Sequence, residues 1–186
     1  MKLILAILTF TLALSATPIT MQFNGVATST NDGQYYVGLY NFNLAGVPIQ
    51  TVCLDLLHSI YGGQTWTVNV LTDADLGPTD RLNMETAAVI AYGTFHSPTD
   101  QWALNQHAIW ESLGQREYGS SAVDAKIAWA RAQVSGFDFS TVRFYMPTGS
   151  TGQAQVGFVP EPGAFGMIGF GLIGVSVLLR WKRKGA

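Results

Sequence analysis

Two side chains in this sequence could do acyl chemistry together: the thiol of Cys53 and the carboxamide of Gln106. Cys53 is the only cysteine among 186 residues. It is therefore free, paired with another chain, or chemically committed. Gln106 lies in SPTDQWALNQHAIWESLG, residues 97–114, where Trp102, Ala103, Gln106, Ile109 and Trp110 recur at three- and four-residue spacing and share one helical face. That face is apolar except for the glutamine. Burying an unpaired amide costs roughly 1–3 kcal/mol, so Gln106 is either hydrogen-bonded in a core or engaged in a reaction. If the two groups meet, the Cys53 thiolate displaces ammonia from the amide and leaves an internal thioester. Such an acyl group is stable while water is excluded and reactive toward an amine that reaches it. Burial between Trp102 and Trp110 would exclude the water.

The elements that must position this pair follow from periodicity and punctuation. Residues 97–114 read as a helix capped at Ser97, with Pro98 at its first position and a stop at Gly114. Cys53 falls in VPIQTVCLDLL, residues 47–57, a strand candidate with Pro48 at its start. Alternation there sends Val52, Leu54 and Leu56 to one face and Thr51, Cys53, Asp55 and Leu57 to the other. Cys53 is thus expected to look toward whatever packs over the sheet, the helical segment first of all. Further strands are expected at 34–44, 65–71, 142–146 and 153–158, and further helices at 83–92 and 121–134, the latter opened by a Ser121/Asp124 capping box. Residues 17–32 read as polar and irregular, and 73–80 as a loop without the ligand spacing of a calcium site. Strands, then helices, then strands define an α+β domain. The expected architecture is a β-sandwich or barrel-like sheet with an inserted three-helix segment, followed by a C-terminal transmembrane helix.

The flanking segments set the compartment. Residues 1–15, MKLILAILTFTLALS, have one lysine, an apolar run and a small-residue cleavage site, the pattern of a signal peptide. Residues 163–179 carry no charge and are followed by Arg180, Lys182, Arg183 and Lys184, which reads as a membrane helix with a cytoplasmic stop. The domain between them, residues 16–158, is acidic. From 17 to 159 there are five basic and eleven acidic residues, a balance of −6, which disfavours nucleic acid as a partner.

Two resemblances sharpen these expectations. Pro160-Glu161-Pro162, the apolar helix and the basic tail together closely resemble the PEP-CTERM sorting signal of Gram-negative bacteria. That resemblance implies an exosortase as processing partner, transient anchoring in the inner membrane, and final placement at the cell surface or in the extracellular matrix. TVCLDLLH around Cys53 and LNQHAIW around Gln106 look like the two signatures of bacterial surface thioester domains, and METAAVIAYG, residues 84–93, resembles the helix such domains carry between them. That resemblance implies a Cys53–Gln106 thioester transferred once to an amine-bearing surface or matrix ligand, typically through a lysine. Such a protein is not an enzyme, and neither cofactor nor metal is implied.

Asp55, two residues beyond Cys53, could orient the Gln106 amide or assist proton transfer. His58, at the strand end, could lie near the site but reads better as a surface histidine, and His107, turned about 100° around the helix from Gln106, is not expected to be its direct partner. A cysteine hydrolase is disfavoured, because no glycine-flanked cysteine opens a helix to lower the thiol pKa. A non-covalent matrix or exopolysaccharide-binding module is the alternative, although Trp66, Trp102, Trp110 and Trp129 occupy core-like positions.

Overall fold

Alternation is cleanest in the strands that face water on one side. In β1 (Ile19–Val26), Met21 and Phe23 are buried while Thr20 and Asn24 are exposed. In β4 (Thr65–Leu71), Trp66 and Val68 are buried between exposed Thr65 and Thr67. The computed structural model describes residues 18–28 and 30–159; the expected signal peptide, the Pro-Glu-Pro motif and the C-terminal helix lie outside them. Among the described residues no helix is long and apolar enough to cross a membrane.

Six antiparallel strands close into a barrel in the order β1-β2-β3-β6-β5-β4, with β4 returning to β1. β2 (Leu39–Leu44) and β3 (Val47–Cys53) form a hairpin whose turn residues, Ala45 and Gly46, both have positive φ, the geometry that matches strand twist. The barrel interior is filled by Met21, Phe23, Phe42, Trp66 and Val68, with Phe42 in contact with Phe23 and edge-on to Trp66. Closure removes the free sheet edges that an open sandwich would present.

β3, β5 (Val142–Pro147) and β6 (Gln155–Phe158) do not alternate. Thr51, Val52 and Cys53 are all buried, as are Gln155, Val156 and Gly157. Both faces are covered there, one by the barrel interior and the other by the helical insert between β4 and β5. That insert comprises α1 (Arg81–Phe95), α2 (Trp102–Ser112) and α3 (Ser121–Gln133). Alanines 87, 88 and 91 let the helices approach closely, and Tyr92 and Phe95 pack edge-on against Phe158 of β6.

The α+β order with three inserted helices is present, and the sheet is a closed barrel rather than a sandwich. Several boundaries differ from expectation. β1 occupies a segment read as irregular. Residues 34–38 are not strand: Asn31 and Asp32 accept backbone N–H groups of Gly33, Gln34 and Tyr35, tightening a loop ahead of β2. β3 stops at Cys53 instead of Leu57. α1 runs through Gly93 to Phe95. Ser97 does not cap α2; a 3-10 turn at 99–101 precedes it, and the Ser97 hydroxyl accepts from the Asn105 amide instead. α3 has Ser120 rather than Ser121 at its cap position.

Candidate functional site

Cys53 ends β3 opposite Gln155 of β6. Its side chain shares a face with Thr51, whose hydroxyl donates to Gln155 Oε1 at 3.0 Å. By the register this is the inner face, the one carrying Tyr40 and Tyr145. The expectation that Cys53 looks outward to a helical layer is therefore corrected: closing the sheet into a barrel turns the Cys53 face inward. The helix reaches the site nonetheless. α2 lies across the barrel end where β2 begins and β3 stops, and the Gln106 amide donates to the Cys53 backbone carbonyl at 2.7 Å. Gln106 is 1% exposed, and its Oε1 has no partner.

The thiol itself is fully buried. Sγ donates to the Asp55 carbonyl at 3.1 Å and accepts the Asp55 N–H at 3.3 Å. Burial pushes the thiol up to about 12, although the Asp55 N–H and the side chains of Trp110 and Gln155 favour its ionised form. At neutral pH Cys53 is thus a protonated thiol in a buried site.

The two flanking tryptophans play different parts. Trp102 lies flat on Gly38, just ahead of β2: a Cβ there would stand 1.9 Å from Trp102 Cε3, and the glycine φ is +103°. Trp110 is 2% exposed, edge-on to Tyr35, and its indole N–H has no hydrogen-bond partner. One helical turn apart, beside a buried thiol, stand an unused acceptor on Gln106 and an unused donor on Trp110. Such orphaned atoms are rare in interiors and cost roughly 1–3 kcal/mol each.

Asp55 does not touch Gln106. Because β3 ends two residues earlier, Asp55 sits in a turn where Oδ1 accepts the Leu57 N–H at 2.9 Å and Oδ2 lies 2.7 Å from His58 Nδ1. His107 is also directed away from Gln106. Its Nε2 is 2.6 Å from Asp32 Oδ2, and its ring stacks on Tyr118. Burial pushes the Asp32 carboxyl up, but the Tyr35 N–H, the His107 side chain and the Gln34 N–H outweigh it and hold the group below its usual range. Trp129, expected in a core, is exposed, with the Lys126 ammonium over its ring.

Three further glutamines belong to the site and escaped the sequence reading. Gln115 brackets residues 54–56, donating to the Leu54 carbonyl and accepting the Leu56 N–H, both at 2.7 Å. Gln153 donates to the carbonyls of Asp55 and His58. Gln155 links Thr51 to Gln153. The signal available was QAQVGF, residues 153–158, which puts two glutamines at the spacing of a single strand face.

A cleft of about 530 Å³ opens on the segment that follows Cys53, walled by Tyr35, Tyr36, Tyr40 and Trp110, with Asp55 and His58 also lining it; Cys53 and Gln106 lie buried behind its wall and do not line it. On the other side of the Leu54–Leu56 segment, a cavity of about 330 Å³ is lined by Leu54, Met84 and Leu113. Among the described residues, no three His, Cys, Asp or Glu side chains gather as metal ligands would.

Residues 158–184 match the PEP-CTERM protein-sorting motif. The motif indicates an exported protein, sorted by an exosortase to the cell envelope or surface. No curated protein and no solved structure matches the chain.

Proposed function

We propose that Cys53 and Gln106 condense to an internal thioester, which the protein uses once to attach itself covalently to an amine-bearing surface or matrix ligand. The observation that carries this reading is the Gln106 carboxamide held against Cys53, 2.7 Å from its carbonyl, with Oε1 unpartnered in a buried site. In the first step the sulfur bonds to Gln106 Cδ, the C–N bond breaks, and ammonia leaves carrying the thiol proton. In the second, the amine nitrogen bonds to Cδ and the C–S bond breaks, which regenerates the Cys53 thiol and leaves an amide to the ligand. Burial under Trp110 and Trp102 keeps water from the acyl group. The Trp110 N–H, whose side chain favours the ionised form of Cys53, is the donor available to the sulfur as it attacks and leaves. The likeness of TVCLDLLH and LNQHAIW to surface thioester domains supports the same chemistry.

A protein consumed by its own reaction is not an enzyme. Its apolar segment at 163–179 and its basic tail serve transit through the inner membrane of a Gram-negative cell, ending with an exosortase cut near Pro160-Glu161-Pro162. The 530 Å³ cleft favours a second reading, a non-covalent matrix or exopolysaccharide-binding module, because Tyr36 and Tyr61 stand exposed along it.

Intact mass decides between the two. The first reading expects the wild-type chain to be lighter by one ammonia, Cys53→Ala to have full mass, and methylamine to add to wild type alone. A full wild-type mass with one titratable thiol after unfolding refutes it.

A further inference from the structure

Acyl transfer from a buried thioester needs a proton carrier. When a neutral amine attacks Cδ, its nitrogen becomes positive. The C–S bond then breaks productively only as a proton leaves that nitrogen and another reaches the sulfur. Burial pushes the Cys53 thiol up to about 12, so departure as a bare thiolate is costly.

The chain has three histidines. His107 is tied through Nε2 to Asp32. His96 binds the Tyr92 carbonyl through Nδ1 and lies against the Tyr92 ring. His58 alone lines the cleft. Its Nδ1 is 2.7 Å from Asp55 Oδ2, and its side chain is 45% exposed, so Nε2 is available to a molecule in the cleft. Gln153 grips the carbonyls of Asp55 and His58 together and so fixes the turn that carries both side chains. The same turn supplies the backbone groups of Asp55 that hold the Cys53 sulfur. A carboxylate orients a ring whose outer nitrogen is free, on the segment that holds the leaving group. Such a carboxylate-oriented ring is what general acid–base catalysis uses once an amine entering from the cleft bridges it to the buried acyl carbon.

Building on the thioester reading, we propose that His58 is a catalytic residue of acyl transfer and Asp55 its positioning residue. His58 Nε2 takes the proton from the attacking nitrogen and delivers it to the Cys53 sulfur as the C–S bond breaks. Gln106 Cδ ends as an amide, Cys53 as a thiol and His58 as it began.

The test uses the full chain in detergent, with methylamine and hydroxylamine as nucleophiles and intact mass as the readout. Hydroxylamine is unprotonated at neutral pH and attacks thioesters without a base. His58→Ala and His58→Gln are expected to keep the ammonia-short mass, to slow methylamine addition by about 100-fold, and to leave hydroxylamine addition far less affected. Added imidazole is expected to restore part of the methylamine rate in His58→Ala. Asp55→Asn, which keeps an acceptor for the Leu57 N–H, is expected to show a smaller loss with the same nucleophile dependence. Wild-type methylamine rates in both His58 variants overturn the proposal, and so do equal losses with both nucleophiles, since these mean only a damaged site. A full-mass wild-type chain overturns the thioester reading itself and is seen before any nucleophile is added.

Discussion

Gly38→Ala tests the packing that buries the site. Two costs are separable. The first is backbone strain, because Gly38 has φ +103°, a region that costs a non-glycine residue on the order of 1–3 kcal/mol. The second is steric, because the new Cβ would stand 1.9 Å from Trp102 Cε3, and 2.6 and 2.7 Å from two further atoms of that indole. Trp102 cannot retreat without leaving the helix face it shares with Gln106, so overpacking adds about 1–3 kcal/mol. Gly25→Ala is the internal control: its φ is +120°, and a Cβ there meets nothing within 4 Å. The expected costs are therefore about 2 kcal/mol for Gly25→Ala and about 4 kcal/mol for Gly38→Ala, measured by urea denaturation of the full chain with near-ultraviolet circular dichroism. Combining Gly38→Ala with Trp102→Leu should recover part of the difference, since the smaller side chain vacates the space. Equal costs for the two glycine substitutions, or strictly additive costs in the double variant, would refute the argument that Trp102 is pressed onto the β2 entrance.

Further outcomes follow from the same geometry. Gln115→Ala strips partners from the Leu54 carbonyl and the Leu56 N–H and should cost about 2 kcal/mol, with faster amide exchange confined to residues 54–58. The Asp32 carboxyl is held low when folded, so the stability it contributes is present above its unfolded pKa and is lost as pH falls through the folded value. Asp32→Asn should abolish that acid-side loss in a denaturation series. In Gln106→Asn, which keeps a free thiol, the burial that pushes the Cys53 thiol up in the wild-type fold should raise it again. Stability should then be full below the unfolded thiol value and decline as pH rises toward 12, a decline made smaller when Cys53→Ala is added, the remainder coming from the hydroxyls of Tyr40, Tyr118 and Tyr145, which burial also raises.

The helix face of Trp102, Gln106 and Trp110 was legible because its 3.6-residue period is written in large side chains on one short segment. β4 was legible for the same reason at period 2. β1 also alternates, through Ile19, Met21 and Phe23, but its intervening Gln22, Asn24 and Gly25 disguised it as loop. Apolar alternation through Leu54 and Leu56 suggests a longer β3, yet after the Leu54 N–H, which donates to the Ala154 carbonyl, the backbone finds its partners in the side chains of Gln115 and Gln153 rather than in a neighbouring strand. A barrel-like sheet stood beside a sandwich among the expected forms, but its closure is not legible locally. It depends on long-range pairing of β1 with β4, and it decides that the Cys53 face is the inside. The glutamine cluster was hidden for a related reason: a glutamine reads as surface until the fold shows a backbone segment lacking other partners.

The placement of Cys53 and Gln106 gives the proposed thioester a mechanical consequence. Cys53 ends a barrel strand and Gln106 sits in the helical insert, 53 residues later. A thioester between them short-circuits that stretch, so tension applied across it runs through one C–S bond. Once the acyl group passes to a ligand, the load is carried by α2 and by the noncovalent packing of the insert on the barrel. Pulled out fully, the released stretch adds about 180 Å of contour length at roughly 3.4 Å per residue. Pulled from its two ends, the chain would thus lengthen by that stretch only once the thioester has been spent, and a force spectrum of the protein before and after ligation would show the added length directly.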